Sequence, residues 1–140
     1  MSLSQVRDLC LEAKRHYDGG ELRAGLGVAE QAVADCTETL GRSHYAYPLS
    51  LCALGWLRHA VGEGASALFS EAVARARALV EDDFEHALVV LKHAADFARE
   101  TGQTKRVEEL TAELLGLHRI YLGELHPRTL QLQFAPRSHF

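Results

Sequence analysis

Leu40-Gly41-Arg42-Ser43-His44 returns further along the chain as Leu122-Gly123-Glu124-Leu125-His126, with Gly41 and Gly123 standing 82 residues apart. At the midpoint of that interval lies Val80-Glu81-Asp82-Asp83-Phe84, a turn-like cluster that keeps the spacing but not the letters. A second ladder, Gly20, Gly62 and Gly102, interleaves with the first at spacings of 42 and 40. Breakers that alternate roughly every 20 residues, with apolar-periodic segments between them, mark a helix-turn-helix repeat array. In such an array each hairpin leaves an apolar face open and the next hairpin covers it. Arrays of this kind are surfaces for holding other molecules.

The segments between the breakers read as helices. Val6, Leu9, Cys10, Ala13 and Tyr17 share one face of a first helix from about Ser4 to Tyr17, ended by Asp18-Gly19-Gly20. Leu22, Leu26, Ala29, Val33, Cys36 and Leu40 stripe a second from about Glu21 to Leu40, with Gly41 as its stop. Pro48 belongs in a first turn, so the third helix starts near Tyr47 and carries Leu51, Leu54, Arg58 and Val61 up to Gly62. The fourth runs from Ala65 through Leu68, Phe69, Ala72, Val73 and Ala76 to Val80. Asp82 and Glu85 have capping-box spacing and predict the start of a fifth helix, striped by Ala87, Val90, Leu91, Ala94, Phe97 and Ala98. Val107, Leu110, Leu114, Leu117 and Tyr121 stripe a sixth. His126-Pro127 opens a seventh that Pro136 limits to about two turns. Antiparallel hairpins follow from the short turns. We expect one helical repeat domain over residues 1–132 and a C-terminal tail over 133–140.

Composition narrows the chemistry. The net charge of −4, with acids and bases mixed along 140 residues, lacks the basic stripe of a nucleic-acid surface. No apolar stretch is long enough to span a bilayer, and no secretory signal pattern opens the chain. Cys10, Cys36 and Cys52 form no C-x-x-C and lie among apolar neighbours, as small buried hydrophobes in a reducing compartment do. A cytoplasmic location is the expectation.

Catalytic and cofactor signatures are missing. There is no G-x-S-x-G, and Gly62-Glu63-Gly64 lacks the Lys and Ser/Thr of a phosphate loop. His86 and His93 share a predicted face with Asp82 a turn earlier, but zinc wants an i, i+4 His pair or a Cys partner, so no metal is expected. Asp82-Asp83 and Glu108-Glu109 read as solvated pairs. His44 and His126 belong to the joints between hairpins and read as structural. The stripe Leu51-Leu54-Arg58-Val61 leaves Trp56 off the core side, which keeps two readings open: a core aromatic or a binding residue.

The spacing of these residues resembles the tetratricopeptide family. The family's large apolar residue, then Leu-Gly or a small pair, then Gly closing the first helix, match Leu51, Leu54-Gly55 and Gly62, and again Leu91, Ala94-Ala95 and Gly102. Ala65, Phe69 and Ala72 match its second helix. The "LG-x-x-H" joint is most similar to the variant of kinesin light chains, although its His-Pro survives only at His126-Pro127 and Tyr45 follows His44. The resemblance covers about residues 4 to 132. It implies an all-α, right-handed solenoid of about three antiparallel hairpins, with a concave groove lined by the first helix of each pair. Carried over by position, the groove residues are Lys14 and Tyr17; Cys52, Ala53, Trp56 and His59; and Lys92, His93, Asp96 and Arg99. Leu11 and Ala53 stand where the family's carboxylate-holding members have asparagine, so that specific activity is not implied.

The expected function is a non-enzymatic module, without cofactor, binding a protein's peptide or helix in the groove. Two rivals stand beside it. One is the C-terminal helical part of a larger enzyme, as in SET-and-MYND methyltransferases. The other is a self-associating scaffold that homodimerises through the open C-terminal end of the stack.

Overall fold

The computed structural model describes residues 3–134, and of the tail expected over 133–140, residues 135–140 lie outside them. Among the described residues seven helices follow in order: α1 Leu3–Asp18, α2 Leu22–Thr39, α3 Ala46–Ala60, α4 Ser66–Leu79, α5 Phe84–Glu100, α6 Thr104–Tyr121 and α7 Pro127–Phe134. Among the described residues there is no strand. The chain divides into two compact units, Met1–Val90 and Leu91–Phe140, with α5 straddling the boundary.

The two glycine ladders make two kinds of turn, each repeated nearly atom for atom. In the hairpin turns the residue after the glycine closes the helix. Glu21 N–H reaches His16 O, Glu63 N–H reaches Arg58 O and Gln103 N–H reaches Ala98 O, each at 2.8 Å. That is the six-to-one bond of a helix end that turns through a left-handed residue, which here is always glycine. At the joints the glycine itself reaches back, Gly41 N–H to Cys36 O at 2.8 Å and Gly123 N–H to His118 O at 3.1 Å. Gly41 and Gly123 have φ of 87° and 97°, a region in which a Cβ would be strained.

The joint histidines then cap the next helix. His44 Nδ1 accepts the N–H of Ala46 at 3.0 Å, and His126 Nδ1 accepts that of Arg128 at 3.1 Å. Each satisfies one of the N–H groups that a helix start leaves without a partner. At the middle joint Asp83 does this work: its Oδ1 accepts from His86 N–H at 3.3 Å. The cap therefore falls at Asp83, one residue after the expected Asp82, and the residue three on is His86 rather than the Glu85 of the expected capping box. Asp83 also holds the His86 side chain, Nδ1 to Oδ2 at 2.7 Å, while the Tyr45 ring stacks on His86 at 3.9 Å.

In the first unit α1 packs on α2, α2 on α3, α3 on α4, and α1 also on α3. Ala13, Leu26, Ala29, Leu54 and Leu57 form a buried cluster, flanked by Leu22, Val28, Val33, Val61 and Leu68. Because α3 is covered from several sides, it buries far more than one stripe: Tyr47, Pro48, Ser50, Leu51, Cys52, Leu54, Gly55 and Leu57 are all inside. In the second unit α6 packs on α7. Its buried residues include Leu91, Ala94, Phe97, Leu110, Leu114 and Thr129. Tyr121, expected on the core stripe of α6, is exposed instead. Helix α7 runs to Phe134, two residues into the segment expected as tail.

Candidate functional site

Lys14 and Tyr17 on α1 stand 42 residues before Trp56 and His59 on α3, the same interval that separates Gly20 from Gly62. They are repeat-equivalent positions on two helices that pack directly on each other. Lys14 is exposed and tied to Asp18 at 3.2 Å, a solvent-screened i, i+4 pair. Tyr17 is exposed. Leu11, one turn before Lys14, is 58% exposed, so this face of α1 sets an apolar side chain beside the Lys14–Asp18 pair. In the sequence Leu11 was conspicuous only for not being asparagine; its exposure follows from the helix frame.

Trp56 is neither core nor free surface. Its indole is half-buried, edge-on to Phe69 of α4 at 5.4 Å and 74°, and edge-on to His59 at 6.4 Å and 68°. The neighbouring Gly55 explains the arrangement. A Cβ at Gly55 would stand 2.6 Å from Phe69 Cε2, so only glycine lets the Phe69 ring lie against the α3 backbone. Gly25 permits a similar approach of α2 to α1 and α3, with His16 Cβ and Leu57 Cδ2 each 2.9 Å from where its Cβ would be.

Cys52 must be removed from the list of groove residues. It is 2% exposed, and burial together with the nearby Cys10 pushes its thiol up to about 12. The reason is the several-sided cover of α3, which a one-stripe reading of that helix cannot anticipate. Burial raises the Cys10 and Cys36 thiols as well. Cys10 Sγ lies 3.7 Å from Ser50 Oγ, which itself bonds Ala46 O at 2.7 Å. Thiols held in their protonated form are poor nucleophiles.

The second unit carries the other expected residues on one side of α5. Asp96 receives Lys92 Nζ at 3.2 Å and Arg99 Nη1 at 2.8 Å. Arg99 Nε is buried without a hydrogen-bond partner. Burial lowers the pKa of His93 and Lys92 lowers it further, against the opposing pull of Asp96. This face is ionic, and most of its charge is satisfied within itself. His86 and His93 fall in different units, and His86 pairs with Asp83 rather than Asp82. Among the described residues no group of three His, Cys, Asp or Glu side chains could hold a metal ion.

Comparison with solved structures decides the fold. The chain is similar to a Podosopora anserina protein described as a kinesin light chain with nearly identical TPR-like repeats, at 23% identity and a TM-score of 0.75. The alignment covers 93% of this chain and 63% of that one; a single-substitution variant of the same protein gives 23%, 0.75, 93% and 62%. The fold is tetratricopeptide-like. This chain thus spans less than two thirds of the length of those structures. No family model matches the sequence, and no curated protein matches it. In the tetratricopeptide-like frame α1, α3 and α5 are first helices and α2, α4 and α6 second helices. Lys14, Tyr17, Trp56 and His59 then occupy first-helix positions in the first unit, while Lys92, His93, Asp96 and Arg99 occupy them in the second. No described helix is long and apolar enough to cross a membrane.

Proposed function

We propose that the chain is a non-enzymatic interaction module that receives a peptide or helix of a protein partner on the exposed faces of its first helices. The single observation that carries this reading is Trp56, a partly exposed indole on α3 propped by a buried ring beneath it. Large aromatic side chains in this half-covered setting are the residues that dominate binding energies. Lys14, Tyr17 and His59 complete the contact face of the first unit, and Lys92, His93, Asp96 and Arg99 offer a polar face on α5. Thiols whose ionisation burial disfavours, and histidines engaged in hydrogen bonds, support a binding role over a catalytic one. The net charge of −4 favours a protein over a nucleic acid as partner. Free thiols at Cys10, Cys36 and Cys52 favour a reducing, cytoplasmic setting.

The test is affinity capture from the native host with wild-type chain and Trp56→Ala side by side, followed by titration of each recovered protein. A partner retained by the wild type and lost by the variant supports the reading. Partners recovered equally by both would refute it.

A second reading has its own observation. Ile120 and Leu125 are 75% and 83% exposed near the end of α6, an apolar surface that a second copy could cover. Light scattering after size-exclusion separates the two states. A strict monomer at high concentration excludes the homodimer.

A further inference from the structure

We propose that Phe69, a residue no partner can touch, is the positioning residue that holds Trp56 ready before binding. This role rests on the reading of Trp56 as the anchor of the binding face, and it adds how that anchor is held. Three features converge on it. Gly55, immediately before Trp56, has no side chain, and the Phe69 ring fills that place, with Cε2, Cζ and Cδ2 at 2.6, 3.0 and 3.1 Å from where a Cβ would be. Phe69 is 3% exposed, so its ring is fixed by the core on one side and by the α3 backbone on the other. The indole of Trp56 then rests edge-on against this fixed ring at 5.4 Å and 74°, within the range that aromatic pairs prefer. His59, one turn on, meets the same indole at 6.4 Å.

A side chain held in one rotamer has little conformational freedom left to lose when a partner arrives, which strengthens binding without a new contact. Without the Phe69 ring, the indole loses its edge-on support and gains side-chain freedom, and partner affinity falls roughly three- to tenfold. The repeat frame shows that this device is local. Positions equivalent to Trp56 are Lys14 on α1 and Asp96 on α5, so only the second hairpin carries an aromatic there.

The experiment needs no partner, because Trp56 is the chain's one tryptophan and reports on itself. The probe is the decay of its fluorescence anisotropy in the full chain. In the wild type the decay is expected to follow tumbling of the whole molecule, with a minor fast component from side-chain motion on the nanosecond scale. In Phe69→Leu, and in Phe69→Met if the leucine variant does not fold, the fast component is expected to become the larger part while the far-ultraviolet circular dichroism stays helical. Val73→Ala is the control. It trims a buried residue one turn further along α4 and is expected to lower stability while leaving the indole as rigid as before.

Three results would overturn the proposal: a large fast component already in the wild type, an unchanged decay in the Phe69 variants, or an equal change in Val73→Ala. Each leaves the binding role of Trp56 itself open to the capture experiment. Conversely, a rigid Trp56 whose removal costs no partner would sink the binding role while leaving the positioning intact.

Discussion

The α3–α4 hairpin and the α5 helix use the same repeat frame for different ends. In the first, Leu54-Gly55 brings an aromatic ring against the backbone, and a second aromatic, Trp56, rests edge-on against that ring. In the second, the matching pair is Ala94-Ala95, both buried, and the position of Trp56 is taken by Asp96, tied to Lys92 and Arg99. The lesson is that the repeat fixes where a backbone position lies and leaves its chemistry open. One helix offers an apolar anchor, and the other offers charges that already hold one another.

The largest effect expected from this contrast is at Gly55. Gly55→Val puts branched atoms into the Phe69 ring at a point where even a Cβ stands at 2.6 Å. Overpacking of that kind costs about 3 kcal/mol at the upper end of its usual range, read as a drop in the denaturation midpoint. On α5 the reverse change, Ala95→Gly, removes a tolerated methyl from a helix interior and costs about 1 kcal/mol. If both substitutions proved equally mild, the close approach of Phe69 would have no energetic consequence and the distinction between the two helices would fall.

Trp56→Ala comes next. Loss of this partly buried aromatic anchor is expected to weaken partner binding by about 2 kcal/mol. The edge-on contact with Phe69 adds a stability loss of about 1 kcal/mol, so the variant should stay folded with a modestly lower melting temperature. A collapse of stability with aggregation would assign Trp56 to the core and leave the first unit without an anchor.

His93 separates the two regions by pH. Its pKa lies below the ordinary value of 6.5, chiefly because burial disfavours the charged ring. Below that value the unfolded chain binds more protons than the folded one, so stability is whole above it and declines as pH falls towards the depressed folded value. His93→Gln should flatten the stability curve in that acidic window, measured by denaturant midpoints across pH. An unaltered curve would mean that His93 has no part in the acid loss.

How much of this was legible in the sequence depends on how many sides of a helix are covered. Helices with one buried stripe, such as α2 with Leu26, Ala29 and Cys36, announce themselves through periodicity. So do the breakers, because a left-handed position selects glycine whatever surrounds it. The histidine joints were visible as repeated letters, and their Nδ1 caps supply the reason. Helix α3 was not fully legible. Covered by α1, α2 and α4, it buries Cys52 as well as Leu51, and a single-stripe reading assigns the second flank to the surface. The cap of α5 shifted by one residue because Asp82 and Asp83 are equally good acceptors in composition, and only geometry selects Asp83. The Phe69–Gly55 contact needed both helices in place before Trp56 could be read as propped rather than simply buried or exposed.

The smallest effect is expected at the charged end of α5, where it distinguishes charge from shape. Lys92 is 73% exposed and meets Asp96 at 3.2 Å, so Lys92→Ala should change stability by no more than about 0.5 kcal/mol. Arg99 is more enclosed. Its bond to Asp96 is shorter, yet its Nε is buried without a hydrogen-bond partner, and truncation removes that unmet donor together with the ion pair. The two changes oppose each other, so Arg99→Ala should also leave stability within about 1 kcal/mol of wild type. Partner binding is where the charge would register. If α5 contributes a polar contact, Arg99→Ala weakens binding by less than Trp56→Ala does, and the deficit shrinks as salt is raised because an ionic contact at a wet surface is screened within about 10 Å at 0.1 M. Titration of wild type and Arg99→Ala at two salt concentrations reads this directly. A deficit that persists unchanged at high salt would mean that the guanidinium acts by packing rather than by charge, and α5 would then resemble the α3–α4 hairpin more than its residues suggest.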